Sequence, residues 1–151
     1  MNLQYHISLI STAETFPLRQ KVLKPFLTLE ECINPGDDLS STYHFGLFHT
    51  QKLISVASFS SESFPDFDAG NPYRLRGMAT DDRYRRQGFG QILTRQSIEF
   101  LKTKRCDLVW CNARLRAFSF YEKLGFSYYG EMFDLPRIGP HKVMYKRVIP
   151  R

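Results

Sequence analysis

Cysteine is scarce in this chain of 151 residues: Cys32, Cys106 and Cys111 are the whole supply. The count is odd and holds no Cys-x-x-Cys pair, which excludes a disulfide framework and a thiolate zinc site. Cys106 and Cys111 flank a short apolar strand and read as small buried hydrophobes. The four histidines share no metal-ligand spacing, so no metal is expected. No apolar run approaches the roughly 20 residues of a bilayer-spanning helix. The opening residues, from Met1 to Ile7, carry neither a basic leader nor an apolar signal core. A soluble, cytoplasmic protein with no membrane partner is the expectation. No Gly-Lys-Ser/Thr follows a glycine turn, which removes the nucleotide-hydrolase loop. Gln87 stands where a dinucleotide fingerprint needs glycine.

What the chain does contain is the material of one folded domain. A hydrophobic fraction of 42% with 15% aromatics is too rich for disorder. The length suits a single domain over residues 1–151, and neither an internal repeat nor a linker divides it. The net charge of +6 is open to nucleic acid, an acidic membrane surface or an anionic small ligand. The basic residues are scattered except at Arg83, Arg85 and Arg86, a cluster better suited to a local phosphate. Aromatics follow core periodicity instead of interleaving with cations, so no nucleic-acid partner is expected.

Taken in order, Leu3, Tyr5, Ile7 and Leu9 alternate as a half-buried strand. Ser11 or Thr12 caps a helix with Glu14 in its first turn, and Leu18, Val22 and Leu23 form its apolar face up to Pro25. Phe26 to Ile33 gives another helical turn or two. Tyr43, Phe45 and Leu47 alternate as a strand, paired through a turn at residues 49–52 with a second strand over 53–59. Residues 60–72 read as a mobile polar loop of functional length. A strand with Leu75, Met78 and Ala79 precedes a helix from Gly90 to Lys102. Leu108 to Cys111 is a buried strand ending at residues 112–114, and Arg116 to Leu124 is a helix closed by Gly125. Two further strands finish the chain. That order calls for a mixed α/β sheet with crossovers on both sides.

Between the central strand and its helix lie Arg85, Arg86, Gln87, Gly88, Phe89 and Gly90. Glycine lets the backbone turn tightly with its N–H groups exposed. A helix that opens just after presents unsatisfied donors and the positive end of its dipole, a site for phosphate. Two guanidinium forks beside it suit phosphate oxygens. The second informative stretch places Ala117, Phe120, Tyr121 and Leu124 at i, i+3, i+4, i+7 spacing. From spacing alone Tyr121 is a core aromatic with its hydroxyl at the edge.

Arg85, Gly88 and Gly90 match the pattern Arg/Gln-x-x-Gly-x-Gly/Ala, and Ala117, Phe120, Tyr121, Gly125 and Phe126 match Ala-x-x-Phe-Tyr-x-x-x-Gly-Phe. In both, the chain resembles the GNAT superfamily of acyl-CoA-dependent N-acetyltransferases. The resemblance runs from about Leu75 to Phe126, with only element order matching before it. It implies a central mixed sheet of about six to seven strands, splayed between the fourth and fifth, with about four helices. It also implies acetyl-CoA as cosubstrate and a primary amine as acceptor, small or amino-acid-like in preference to a protein, attacked directly in a ternary complex. By the same resemblance, main-chain groups of Met78, Ala79 and Thr80 face the pantetheine arm, and an N–H there polarises the thioester carbonyl. The diphosphate rests on N–H groups between Arg86 and Gln91, with Arg85 and Arg86 supplying charge. Phe120 belongs to the cofactor-binding set, and Tyr121 protonates the departing thiolate.

The sequence departs from the family at two points. Arg114 stands where many relatives carry asparagine against the cofactor arm, so Arg114 reaches a phosphate or Asn112 takes over that contact. No glutamate occurs among Tyr73, Arg74, Leu75 and Arg76, where relatives often place a general base. Glu62, Asp81 and Asp82 are near in sequence but read as solvated loop residues. His44 and His141 are candidates for the acceptor pocket, although lone histidines are more often structural. An acyl-CoA sensor without turnover and a basic nucleic-acid module stand as alternatives, and monomer and homodimer are both open.

Overall fold

The computed structural model describes residues 4–151. Leu3 of the expected first strand lies outside them. Seven strands form one mixed sheet in the order β1-β2-β3-β4-β5-β7-β6: β1 (Tyr5–Leu9), β2 (Tyr43–His49), β3 (Lys52–Ser61), β4 (Pro72–Thr80), β5 (Leu108–Arg114), β6 (Ser127–Leu135) and β7 (Gly139–Arg147). Three α-helices accompany it, α1 (Thr12–Leu18), α2 (Phe89–Lys102) and α3 (Phe118–Lys123). The expectation of about four helices included Phe26 to Ile33, which shortens to a single 3-10 turn at Glu30–Cys32. The expected mixed architecture is present, with β4 and β5 as its parallel pair. Their ladder joins Pro72–Arg74 to Leu108–Trp110, while β4 runs on to Thr80 and β5 to Arg114.

The chain divides into two compact units: the N-terminal part to Ser60 with Arg76–Ser97, and Ser61–Leu75 with Ile98–Arg151. In the first, Ser11 caps α1 through a reciprocal box, its Oγ accepting from the Glu14 N–H while Glu14 Oε1 accepts from the Ser11 N–H. Pro17 then removes a backbone donor inside the helix, and the chain widens into a π-turn at Arg19–Leu23. Leu18, Val56 and Ala79 form a buried cluster with Ile10, Val22, Leu23 and Leu53 against it. Thr50 and Gln51, both at positive φ, make the two-residue turn between β2 and β3.

Arg19 is fully buried in this unit. Its Nη1 donates to Asp37 Oδ2 at 2.7 Å and to the Cys32 carbonyl at 3.0 Å. Its Nη2 donates to Asp37 Oδ1 at 3.0 Å and to Ser58 Oγ at 2.9 Å. His44 completes the network, with Nδ1 2.6 Å from Ser58 Oγ and Nε2 2.9 Å from the Asp37 carbonyl. The bidentate fork is the geometry that makes burying an ion pair tolerable.

In the second unit Leu108, Trp110 and Val143 form a buried cluster, and residues 62–71 are a loop, as expected, packed against it through Phe64, Phe67 and Ala69. Phe64 packs on Trp110 and Phe67 on Tyr145, with ring centroids 5.1 and 4.7 Å apart. Asp107 accepts from the N–H groups of Gly70 and Asn71, and the Glu62 carbonyl accepts from the Trp110 indole. Two aromatic side chains among polar neighbours outweigh the loop's composition.

Burial works against charge on Asp37, but hydrogen bonds from Arg19 and from the Asn34 N–H, with the charge of Arg19, hold its carboxyl below the usual range. A depressed folded value stabilises at neutral pH, and that share is lost as pH falls from the unfolded value near 3.9 towards the folded one. Asp37→Ala leaves Arg19 buried without its counter-charge, and about 3–5 kcal/mol of stability should be lost. Urea unfolding at pH 7 checks this. A loss under about 1 kcal/mol contradicts a buried, uncompensated charge.

Candidate active site

The first set of candidate residues lies in the first unit, where β4 leads through a turn into α2. Asp81 closes β4. Its N–H donates to the Ile54 carbonyl at 2.8 Å, and its carboxylate accepts from the Arg83 N–H at 3.1 Å. That hydrogen bond holds the carboxyl below its usual range against an opposing burial effect. Asp81 is therefore buried and structural, where a solvated loop residue was expected. Asp82 is exposed and pairs with Arg85 at 2.9 Å.

Arg86 takes a left-handed conformation at φ +63, and so does Gly88 at φ +84. Space is open around Gly88, with no heavy atom within 4 Å of a built Cβ, so its glycine requirement is conformational. Phe89 is buried and packs edge-on or tilted against Tyr5, His49 and Tyr84. Its ring anchors the turn, which leaves only its main chain for a ligand. The first N–H of the helix to reach a carbonyl is that of Ile92, on Gly88 O at 3.0 Å. Among the described residues, no protein acceptor receives the N–H groups of Gln87, Gly88, Phe89, Gly90 or Gln91. Arg86, Gln87 and Gly88 are exposed. A run of donors at a helix start, beside two arginines, fits the diphosphate of a coenzyme A molecule.

Upstream, the end of β4 is held from β3. Ser55 Oγ donates to the Ala79 carbonyl at 3.3 Å and lies 2.8 Å from Thr80 Oγ1. Thr94 Oγ1 on α2 donates to the Gly90 carbonyl at 2.9 Å and lies 3.3 Å from Met78 Sδ.

The second set lies in the other unit. Asn112 and Arg114 sit at the end of β5, opposite Val143 and His141 of β7. Phe120 and Tyr121 lie on α3, their rings perpendicular at 5.0 Å. Tyr121 is buried, and its hydroxyl bonds with the Cys111 thiol. Burial, reinforced by Cys111, raises the phenol well above its usual value, and Arg114 pulls weakly the other way. Burial likewise pushes the Cys111 thiol up to about 12. The phenol thus keeps its proton throughout the physiological range. The contact with Cys111 was not foreseen, and only the alternation of a short strand places that thiol on one face.

The remaining candidates are occupied structurally. Glu62 pairs with Arg74 at 3.0 Å, and the Arg74 guanidinium lies over the Trp110 ring. His44 belongs to the Arg19 network. His141 is buried, with Nδ1 2.8 Å from the Gly139 carbonyl and its ring stacked on Phe133. Among the described residues, no group of three or more His, Cys, Asp or Glu side chains could hold a metal ion. No described helix is long and apolar enough to cross a membrane.

Comparison with known proteins identifies the family of the chain and the proteins it is similar to in fold. Residues 10–126 match the model of the Acetyltransferase (GNAT) family. An uncharacterized N-acetyltransferase of Bacillus subtilis (strain 168), YitI, is 41% identical over 140 residues, spanning 93% of this chain and 94% of that protein. In fold, the chain is similar to the ribosomal-protein-S18-alanine N-acetyltransferase from Escherichia coli, with a TM-score of 0.76 at 18% identity over 98% of this chain and 96% of that one. An aminoglycoside 6'-N-acetyltransferase complexed with coenzyme A superimposes with a TM-score of 0.73 at 14% identity, over 97% of this chain and 98% of that one.

All three cysteines are buried, and burial raises the Cys32 and Cys106 thiols as well, the latter to about 11. Thiolate is the reactive form, so native protein at pH 8 should resist an aromatic disulfide reagent and release three equivalents only in denaturant. A thiol that reacts within seconds in the native protein contradicts this burial.

Proposed function

The chain belongs to the GNAT family of acetyltransferases, and on that premise we propose that it moves an acetyl group from acetyl-CoA to a primary amine by direct attack within a ternary complex. The observation that carries this reading is the run of N–H groups over residues 87–91 that no acceptor among the described residues uses. A small-molecule or amino-acid-like acceptor is the preferred substrate class.

When bound, acetyl-CoA supplies an acyl group already activated as a thioester. The residues of the chain hold, polarise and protonate. The amides of residues 87–91, with Arg86 and the half-exposed Arg85, grip the diphosphate. A main-chain N–H among Met78, Ala79 and Thr80 polarises the carbonyl, where charge develops in the transition state. Tyr121 keeps a proton at the leaving sulfur, and its raised affinity for that proton means the phenol is loaded at every working pH. Asn112, Arg114 and Phe120 complete the contacts with the cofactor arm. No cysteine serves as nucleophile, because all three thiols are buried and raised. The amine sheds its proton to water, since Asp81 is capped and Glu62 is ion-paired.

Tyr121→Phe should lower the rate of thiol release from acetyl-CoA about 10²–10⁴-fold across a panel of primary amines, the range of positioned acid catalysis. Coenzyme A affinity, measured by calorimetry, should hardly change. The wild-type rate should not decline until the pH exceeds the usual tyrosine value near 10, because deprotonation of a raised phenol is the only loss expected on that limb. Undiminished turnover in Tyr121→Phe would remove the acid role, and failure of the unaltered protein to bind coenzyme A would remove the whole reading.

A further inference from the structure

In the first unit Gly77 meets Arg19 closely, and nothing in the proposed chemistry accounts for the contact. Gly77 lies inside β4 at φ +63, a left-handed value in the middle of a strand. A Cβ built there would stand 2.8 Å from Arg19 Nε, 3.5 Å from Cζ and 3.6 Å from Cδ. A free arginine tip could swing aside. This one cannot, because Asp37, Ser58 and the Cys32 carbonyl take four hydrogen bonds from its two Nη atoms. Its Nε is buried without a hydrogen-bond partner and lies against the glycine. The three residues that follow are Met78, Ala79 and Thr80, which Thr94 and Ser55 contact.

We propose that Arg19 is a positioning residue for acyl transfer. Its clamped guanidinium is the wall against which β4 bends at Gly77, and that bend aims the main chain of residues 78–80 at the thioester carbonyl. Arg19 touches no substrate and acts through Gly77. The inference rests on the reading that residues 78–80 polarise that carbonyl. It adds to that reading the part of the molecule that sets their direction, a side chain 58 positions earlier in the sequence.

The test uses Gly77→Asn, since asparagine tolerates left-handed backbone better than other side chains yet carries a Cβ. It isolates the collision with Arg19 from the conformational demand. The readout is the carbonyl stretch of bound acetyl-CoA labelled with ¹³C at the acyl carbon, taken by infrared difference spectroscopy, with coenzyme A affinity from calorimetry and folding from circular dichroism. The unaltered protein should lower the stretch relative to free acetyl-CoA. Gly77→Asn should return it towards the free value and slow thiol release at least about tenfold, a fraction of what losing one oxyanion donor costs. Coenzyme A affinity should stay within about twofold, because the diphosphate turn is separate. In an Arg19→Lys background the ammonium keeps the charge opposite Asp37 but lacks the fork that pins it. The lysine can yield, so Arg19→Lys alone should already move the stretch towards its free value and slow thiol release, and adding Gly77→Asn should then cost little more.

An unchanged stretch in folded Gly77→Asn overturns the inference by itself, whether or not Arg19→Lys folds. Equal losses in both backgrounds also overturn it. If the unaltered protein binds no coenzyme A, or leaves the stretch at its free value, the parent reading fails and takes this inference with it.

Discussion

Helix α2 begins with amides that its own geometry cannot satisfy. A helix always leaves its first N–H groups unpaired, and most chains cover them with a serine, threonine or aspartate side chain. Here the nearest such side chain, Asp81, spends its carboxylate on the Arg83 N–H, several residues too early to serve α2. The turn that follows is fixed from beneath by the buried ring of Phe89 and bent by positive φ at Arg86 and Gly88. It is rigid on its inner side and bare on its outer one. A preformed array of this kind binds an anion without the entropy of ordering a loop. On the proposed function, a short turn with few side-chain contacts would hold a diphosphate in this way.

The second constraint is a buried charge. Removing an arginine and an aspartate from water costs several kcal/mol each, and their attraction returns that only when the geometry is good and the remaining donors are used. At Arg19 four of five N–H directions have partners, supplied by Asp37, Ser58 and Cys32. Hydrophobic residues of the same volume would pack as stably. What a pinned fork adds is a rigid surface, and the surface it offers is the one Gly77 lies on. Stability alone gives no reason for this arrangement; shape does.

How much of this was legible in the sequence follows from the range of the interactions. Elements set by local pattern were readable: the cap at Ser11, the hairpin around Thr50 and Gln51, and the glycine turn before α2. Tyr121 was readable as a buried stripe residue, and its role as an acid is proposed only through resemblance. The Arg19–Asp37 pair was not readable, because it spans a loop that periodicity leaves unfolded. Gly77 gave one signal, a glycine within a strand pattern, which marks a bend without saying what the strand bends against. The tie-down of residues 62–71 was hidden for another reason. Composition counts Ser63, Pro65, Asp66 and Asp68 there equally with Phe64 and Phe67, whereas burial energy weights the two rings far more heavily.

The general base follows a different logic from the acid. Each carboxylate near β4 has been spent: Asp81 on capping, Asp82 on Arg85, and Glu62 on Arg74 beside Trp110. Asp81 moreover has its pKa pushed down, away from the range where it could take a proton from an amine. Tyr121 has moved in the opposite sense, so that it retains its proton. On the proposed function, these environments would arm the leaving-group side of the reaction and leave the nucleophile to deprotonate through solvent. An amine needs help to lose its proton in proportion to its basicity, and weakly basic amines need little. On that proposal, acceptors whose amine already has a substantial neutral fraction near pH 7 would be favoured. α-Amino groups, with unperturbed values near 8, meet that condition better than lysine-like amines near 10.4.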